Sequence, residues 1–293
     1  MAPSRTGWEL AGLLEVREAW LDHDYKEFTI PAGAGGAHAL EREALHIWPR
    51  GGFMLIALPN TDGSFTATLF LARSGTHSFA ALTTPAAAEQ FFAREFPDAL
   101  PLMPRLREEF ARHPQGQLGT VHAAPWHAAG QVLLLGDAAH AIVPFHGQGM
   151  NAAFEDCVAL NEVLDEASDD GHDWDEVFAA FEARRRPNAA AIARMAVENY
   201  TEMRDTVLDA TYLRRKTIAM QLERRFPERF IPRYSMVMFH PEIPYAEALR
   251  RGAVQAQILA ELDAGDEAAS AARAASAQAE RLVSERLTPL AGG

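Results

Sequence analysis

The segment from Gln131 to Glu166 constrains the fold more than any other part of the sequence. It reads QVLLLGDAAHAIVPFHGQGMNAAFEDCVALNEVLDE, so an aliphatic run ends at Gly136-Asp137 and a glycine-containing turn precedes a helical pattern. The aliphatic run predicts a buried strand whose carboxyl end carries Gly136-Asp137, and open α/β sheets bind ligands at that edge. A carboxylate there can accept hydrogen bonds from sugar or polyol hydroxyls.

The turn before the predicted helix has features that suit a flat, partly anionic ligand. Gly147 and Gly149 let the backbone approach such a ligand without a Cβ in the way. Asn151 is a good N-cap, and the start of a helix offers free N–H groups and the positive end of the helix dipole. These glycines alone are also compatible with an ordinary strand–loop–helix connection. The core-facing side of the helix is predicted from the spacing of Ala153, Cys157, Leu160 and Leu164.

The first half of the chain predicts a mostly antiparallel sheet of at least four strands over residues 25–71. YKEFTI and ALHIW are typical strands, and FMLIALP and SFTATLFL form a hairpin around Asp62-Gly63. A period of two places Met54, Ile56 and Leu58 on one face, and Thr66, Thr68 and Phe70 on one face of the return strand. Because both faces are largely apolar, we expect both to be covered.

Helical patterns occupy most of the remaining sequence. Residues 7–21 predict a short amphipathic helix, residues 84–96 a helix capped by Thr84 with Pro85 at its first position, and residues 104–113 another. The chain from Asn151 onward is helical in pattern. Its expected breaks are near Pro187, Pro227, Pro232 and the segment 241–244.

Composition excludes several classes of function. A net charge of −13 and a pI near 5.3 disfavour binding to nucleic acid or to an anionic membrane. Cys157 is the single cysteine, so no internal disulfide can form, and no signal peptide or membrane-length apolar run is seen. These features favour the cytoplasm. The 11 histidines lack metal-ligand spacing, so no metal is predicted.

The string GDAAHAIVPFHGQGMNAAFEDC resembles the second flavin-binding motif of the FAD-dependent aromatic hydroxylases, with its Gly-Asp, Pro and G-x-G-x-N pattern. Further similar stretches, among them YKEFTIPAG, FFAREFPDALPLMP and RRRPNAAAIARMAVENYTEMRD, extend the resemblance over residues 25–250. It implies an α+β fold with an antiparallel substrate-domain sheet, the C-terminal part of an FAD-binding domain and a helical C-terminal region. The implied organisation is an atypical segment 1–24, a substrate-binding sheet 25–125, a flavin-binding segment 126–170 and a helical region 171–293.

The resemblance also implies an activity and a set of cofactor contacts. The activity would be hydroxylation of L-kynurenine, a small aromatic amino acid, to 3-hydroxykynurenine with NADPH and O₂, and the cofactors would be FAD and NADPH. Phe145 and His146 would line the place where the substrate ring meets the flavin, with His146 as a pocket wall rather than an acid or base. The residues that would hold FAD are Gly136, Asp137, Pro144, Gly147, Gln148, Gly149, Met150 and Asn151.

Substrate contacts follow from the same resemblance. Asn199 and Tyr234 match two polar residues that the family uses near the amino-acid end of the substrate, and Met203 shares a helix face with Asn199. The platform under the aromatic ring would be formed by Ile56, Leu58 and Phe70, with Met54 and Thr68 as second choices. Simple core packing of these sheet residues stays open. The arginines of ARRRP, residues 183–187, are interpreted as a helix-end cluster or as part of an NADPH-contacting surface.

The sequence departs from the family pattern in one respect. No βαβ unit with G-x-G-x-x-G is found, because GAGGA at residues 33–37 follows a proline and opens no helix. The N-terminal Rossmann unit and an upstream substrate-gripping Arg and Tyr are therefore expected to be missing, with an exposed apolar edge beside QVLLLG. The alternative function is a truncated, non-catalytic remnant, or half of a split hydroxylase that needs a separate chain to hold FAD. A related hydroxylase acting on another aromatic acid is a third hypothesis.

Overall fold

The computed structural model describes residue 12 and residues 14–167, 173–206 and 209–290. These residues form two compact units. The first contains the described residues up to Glu18, Thr120–Asn199 and those from Asp209 onward. The second contains Ala19–Gly119 and the described residues from Tyr200 to position 206.

A five-stranded sheet supplies the strands of the second unit, in the order β2-β3-β4-β1-β5. Strand β1 pairs antiparallel with β4, β2 with β3 and β3 with β4, which confirms the predicted antiparallel sheet. The strand bounds are β1 Glu15–Ile30, β2 His46–Pro49, β3 Met54–Pro59, β4 Phe65–Ala72 and β5 Gly116–Ala124.

The predicted helix over residues 7–21 is wrong where the structure describes it, because β1 already begins at Glu15. Residues 7–11 and 13 lie outside the described residues. Packing between neighbouring strands explains why this segment is a strand and not a helix. A Cβ on Gly119 would lie 2.7 Å from the Trp20 ring, so glycine in β5 makes room for this side chain of β1. Strand pairing thus overrides a local helical pattern.

Helices cover one face of the sheet in the second unit. Helix α1, Pro85–Glu95, begins as predicted: the Thr84 hydroxyl accepts a hydrogen bond from the Ala87 N–H at 3.1 Å. Helix α2, Leu106–Arg112, falls inside the predicted range. The buried cluster on this face joins the sheet to the helices through Leu55, Ala57, Leu69, Phe91 and Phe92.

The other face of the hairpin has the predicted side chains but is less covered than expected. Cross-strand pairing of Met54 with Phe70 and of Ile56 with Thr68 puts them on a common face, as the period of two predicts. Met54 and Phe70 are buried, whereas Leu58 is 48% exposed. The expectation that both faces are covered is therefore wrong at the Leu58 end.

The first unit combines a two-stranded sheet with most of the helices. Strands β6, His127–Ala128, and β7, Val132–Leu133, pair antiparallel. The helices are α3 Asp137–His140, α4 Gly149–Glu166, α5 Trp174–Arg204, α6 Ala210–Arg225, α7 Arg233–Phe239, α8 Tyr245–Leu262, α9 Glu267–Ala274 and α10 Ala277–Arg286. The last residues of α5, from Tyr200, belong to the second unit. Among the helices of the described ranges, none has the length and apolar character required to cross a membrane.

Prolines end helices at most of the predicted positions but not at Pro187. Helix α6 stops before Pro227, α7 follows Pro232 and α8 follows Pro244, as predicted. Helix α5 instead continues through Pro187 to Arg204. A proline costs one helical hydrogen bond, and burial of side chains on both sides of it stabilises the continuous helix. The fully buried ones include Phe181, Ile192 and Met195.

Two further predictions about the central segment are wrong. Only Val132–Leu133 of the aliphatic run forms a strand, with Leu134 buried and Val132, Leu133 and Leu135 half-buried. The exposed apolar edge beside this run stays a prediction. The buried face of α4 consists of Ala152, Asp156, Ala159 and Val163, one position away from the predicted one, and Cys157 is exposed. The helix buries a carboxylate in that stripe, which an apolar pattern could not reveal.

Candidate functional site

The Gly136-Asp137 turn lies at the start of α3 and requires glycine. Gly136 has φ +54° and ψ −138°, and a Cβ on it would lie 3.0 Å from the Cβ of Ala153. A side chain there would meet both backbone strain and the surface of α4. Asp137 is exposed as the first residue of α3, so its carboxylate is accessible to a ligand.

A second turn leads into α4. Pro144–His146 form a single 3₁₀ turn, and Gly147 follows in the left-handed conformation with φ +65° and ψ +16°. The helix begins at Gly149 with Gln148 as N-cap, so the prediction that Asn151 is the N-cap is wrong. Asn151 instead donates its side-chain N–H to Oε1 of Gln148 at 2.9 Å. Within the described residues, the Gln148 side chain makes no capping hydrogen bond to the first-turn N–H groups of α4.

Predicted cofactor and substrate residues come together around Phe145 and His146. The Asn199 amide donates to the carbonyl oxygen of Phe145 at 2.6 Å. The His146 ring is stacked on the Tyr234 ring, with centroids 5.4 Å apart and planes at 25°. The structure therefore connects the turn that was predicted to border the flavin with both polar residues that were predicted to bind the substrate.

His146 is held as a neutral, buried imidazole. Its exposed fraction is 4%, and among the described residues its Nδ1 has no hydrogen-bond partner. Burial, and secondly the positive charge of Arg233, lower the pKa of His146 from 6.5 to about 4. Arg233 itself donates to the carboxylate of Glu198, the neighbour of Asn199.

Asp156 of α4 is the centre of a buried polar network that no sequence pattern predicted. Its Oδ2 accepts from the Gly136 N–H at 2.9 Å and lies 2.6 Å from Nε2 of His140. Its Oδ1 accepts from Nε of Arg185 at 2.8 Å. Burial alone would raise the pKa of Asp156, but the hydrogen bonds from His140, Arg185 and Gly136 outweigh it and hold that pKa below its usual value.

The network continues from Arg185 to the N-cap of α4. Arg185 donates to Glu155 Oε2 at 2.9 Å and to the Ala152 carbonyl at 3.2 Å. The Tyr245 hydroxyl lies 2.6 Å from Glu155 Oε1 and 3.1 Å from Gln148 Oε1. Burial and the Glu155 carboxylate raise the pKa of Tyr245, so its hydroxyl keeps its proton for these contacts.

The arginines of residues 183–187 lie in the middle of α5, so the predicted helix-end cluster is wrong. Arg184 pairs with Glu162 and Glu166, and Arg186 with Glu182. Arg185 is buried in the Asp156 network. The idea that this cluster contacts NADPH stays a prediction.

The remaining predicted substrate residues lie in the second unit. Phe70 packs against Tyr25 and Tyr200, with ring centroids 6.3 Å and 6.4 Å away. Met203 lies three residues after Tyr200 on α5, nearly one helical turn, and is buried. Ile56 is half-buried on the face that carries Phe70. The role of these residues as a substrate platform stays a prediction.

The first-unit residues suit an FAD molecule on chemical grounds. Gly136 and Gly147 adopt conformations that favour glycine, Asp137 offers an exposed carboxylate, and the start of α4 presents uncapped N–H groups. The Nδ1 atom of His146 is a buried polar atom that lacks a partner within the described residues. In the described ranges, three or more His, Cys, Asp or Glu side chains nowhere converge on a metal position.

Comparison with known proteins identifies the central segment independently. Residues 98–196 match a protein-family model described as an FAD binding domain. This range contains both glycine turns and most of the Asp156 network.

Curated relatives match most of the chain. Kynurenine 3-monooxygenase of Stenotrophomonas maltophilia is 56% identical over 241 residues, which are 82% of this chain and 52% of the relative. The protein of the same name from Xanthomonas campestris pv. campestris is 54% identical over 274 residues, or 94% of this chain and 59% of the relative. That of Myxococcus xanthus is 53% identical over 272 residues, or 92% and 56%. The chain thus spans between 52% and 59% of the length of these relatives.

Solved structures share the fold at lower identity. A tetrameric 2-methyl-3-hydroxypyridine-5-carboxylic acid oxygenase aligns with a TM-score of 0.52 and 17% identity, covering 69% of this chain and 53% of that one. PqsL, a probable FAD-dependent monooxygenase from Pseudomonas aeruginosa, aligns with a TM-score of 0.52 and 21% identity, covering 68% and 53%. Both support the α+β fold with its antiparallel sheet.

Proposed function

We propose that this chain belongs to the family of FAD-dependent aromatic-ring hydroxylases and takes part in the NADPH- and O₂-dependent hydroxylation of L-kynurenine to 3-hydroxykynurenine. The proposal rests on relatives named kynurenine 3-monooxygenase that are 53–56% identical to it. Bound FAD would supply the redox chemistry that activates oxygen. The protein's own residues would bind the cofactor and the substrate, orient them and shield them from water.

The cofactor contacts are assigned to the two turns of the first unit. The exposed carboxylate of Asp137 would accept hydrogen bonds from the hydroxyls of the ribityl chain. Gly147 and the first N–H groups of α4, from Gly149 to Asn151, would face the flavin edge that carries negative charge when the ring is reduced. Pro144 and Met150, both exposed next to these groups, would border the ring.

The substrate contacts are assigned to the residues gathered at His146. Asn199 and Tyr234 would bind the polar amino-acid end of the substrate, since an amide and a phenol can bond both to a carboxylate and to an amine. Because the pKa of His146 is lowered to about 4, this ring is neutral near pH 7 and serves as a wall beside Phe145 rather than as a proton donor. Ile56, Leu58, Phe70 and Met203 would supply apolar contacts.

The single observation that carries this proposal is the pair of contacts at the Phe145-His146 turn. The Asn199–Phe145 hydrogen bond and the His146–Tyr234 stack tie the predicted substrate residues to the predicted flavin turn. Those residues are far apart in sequence, so their convergence does not follow from local pattern.

The test is to purify the chain, titrate it with FAD, and then follow NADPH oxidation on addition of L-kynurenine. We expect flavin to bind and 3-hydroxykynurenine to be detected by mass spectrometry. A simple hydroxybenzoate, used as the comparison compound, should stimulate NADPH oxidation far less.

Two results would overturn the proposal in different ways. If no flavin binds, the chain is not a self-sufficient hydroxylase. If flavin binds but hydroxybenzoate replaces kynurenine as the better stimulator, the family assignment holds and the substrate is another aromatic acid.

A further inference from the structure

We propose that Asp156, through Arg185, is the positioning residue that holds both glycine turns of the flavin-binding segment in their ligand-binding conformation. This inference rests on the proposed function, because it concerns the same cofactor. It assigns a role to a buried ion pair that lies behind the turns and that neither the sequence pattern nor the family resemblance identified.

The Asp156 carboxylate contacts the backbone of Gly136 directly. The Gly136 N–H donates to Asp156 Oδ2 at 2.9 Å, and His140, at the other end of α3, lies 2.6 Å from the same oxygen. One carboxylate oxygen therefore contacts both ends of the four-residue helix that carries Asp137. Gly136 has a conformation with φ +54° that few residues adopt, so an external hydrogen bond is needed to define it.

Arg185 connects Asp156 to the start of α4. Arg185 uses Nε on Asp156 and Nη1 on Glu155, and the other oxygen of Glu155 meets the Tyr245 hydroxyl. The same hydroxyl lies 3.1 Å from Gln148 Oε1, and with one hydrogen it donates to one of these two oxygens at a time. Gln148 Oε1 accepts from the Asn151 side chain at 2.9 Å. The route from Gly136 to the N-cap of α4 is thus one continuous series of polar contacts. Arg185 spans its centre with three nitrogens in three directions.

Geometry distinguishes Arg185 from its neighbour Arg184. Arg184 forms ion pairs with Glu162 and Glu166, and its side chain is 39% exposed, whereas that of Arg185 is 8% exposed. A lysine has a single ammonium and cannot reproduce the arginine fork. Arg184→Lys should therefore be tolerated and Arg185→Lys should not, although both replacements keep the charge.

The experiment compares wild type, Asp156→Asn, Arg185→Lys and the control Arg184→Lys. Hydrogen–deuterium exchange is measured without flavin, and FAD affinity is then measured by quenching of flavin fluorescence. We expect faster exchange over residues 136–140 and 148–152 in Asp156→Asn and Arg185→Lys, with the β3–β4 hairpin unchanged. FAD affinity should fall roughly ten- to a hundredfold, the range seen when outer partners of metal ligands are removed. Arg184→Lys should match wild type.

Two further measurements separate positioning from general stability. At saturating FAD, Arg185→Lys should change the visible circular dichroism of the bound flavin, which a uniform loss of stability would not do. Tyr245→Phe keeps the ring but removes the hydroxyl. This variant should speed exchange at 148–152 and leave 136–140 unchanged, and it remains informative if Asp156→Asn fails to fold.

The outcomes are distinct. Wild-type exchange at 136–140 in Asp156→Asn and Arg185→Lys would overturn the inference, as would faster exchange with unchanged FAD affinity. If wild type binds no FAD, the proposed function fails and the cofactor part of the inference with it. The flavin-free exchange data would still decide whether the network positions the turns.

Discussion

The β3–β4 hairpin and the segment from Gly136 to Asn151 are stabilised in opposite ways. The hairpin is paired within itself, and its inner face is apolar: Leu55 and Leu69 face each other across the strands and are fully buried. The flavin-binding segment has little regular pairing of its own. It is held by buried polar side chains from α4, α5 and α8, among them Asp156, Arg185 and Tyr245.

The difference shows what each region needs to do. A platform of side chains can be made by a sheet that folds around its own core, with strength that scales with buried apolar area. A turn that presents backbone groups to a cofactor must keep an unusual conformation without filling the space in front of it. Such a turn needs contacts on the side opposite the cofactor, and buried charged side chains provide them as directional hydrogen bonds.

The largest expected effect is on the polar network. Arg185→Met should lower the free energy of unfolding by about 3–5 kcal/mol, because it leaves the Asp156 carboxylate buried without its cation. Urea denaturation measures this loss. Arg184→Met, which breaks only exposed ion pairs, should cost about 0–1 kcal/mol. Equal losses in the two variants would show that the network is no more important than surface charge.

The second largest loss of stability is expected in the core of the β3–β4 hairpin. Leu69→Ala removes a fully buried side chain and should cost about 2–5 kcal/mol through lost transfer energy and a cavity. Leu58→Ala, on the 48% exposed side chain of the other face, should stay within about 0.5 kcal/mol. A large loss for Leu58→Ala would mean that this face is covered, contrary to the observed exposure.

The lowered pKa of His146 predicts that the stability of the protein depends on pH through this residue of the flavin-binding segment. Its folded-state pKa is about 4 against an ordinary 6.5, so only the unfolded chain takes up a proton between these values. Stability from this group is complete above pH 6.5 and falls by roughly 3 kcal/mol as the pH drops to about 4. His146→Phe keeps a ring against Tyr234 and should flatten this part of the pH–stability profile. An identical slope in this variant would contradict the assignment.

The smallest effect is local to α1. Thr84→Ala removes the hydroxyl that caps the Ala87 N–H and should cost about 1 kcal/mol. Thr83→Ala changes an exposed neighbour and should be close to neutral. If the two substitutions change the free energy of unfolding equally, helix capping by Thr84 does not contribute to the stability of this unit.

Much of the sheet and of the helix ends could be predicted from local signals. Asp62-Gly63 marked the hairpin turn, where Gly63 has φ +87° and a Cβ would lie 2.3 Å from the Gly36 carbonyl oxygen. Thr84 and Pro85 marked the start of α1. The part of β1 before Tyr25, residues 15–24, was missed because neighbouring strands, and not local preference, fix it.

The candidate site was predicted less completely. The glycines and Asp137 follow from the string between Gly136 and Asn151, and Asn199 and Tyr234 from their similar contexts in the family. The buried polar side chains that contact these turns could not be predicted from the sequence. A carboxylate such as Asp156 in an amphipathic helix ordinarily faces solvent. Burial of the Asp156 carboxylate is favourable only because Arg185 and His140, from other parts of the chain, contact it in the folded structure.

Sequence patterns were enough to predict the antiparallel hairpin, the capped helix, the two glycine turns and the resemblance to the flavin hydroxylases. Each depends on interactions between residues close in the chain or on a string of specific letters. Only the tertiary structure decided which charges are buried, that α5 continues through Pro187, and that Asn199 and Tyr234 meet Phe145 and His146. These outcomes depend on desolvation and on partners distant in sequence, and neither can be computed from one segment alone.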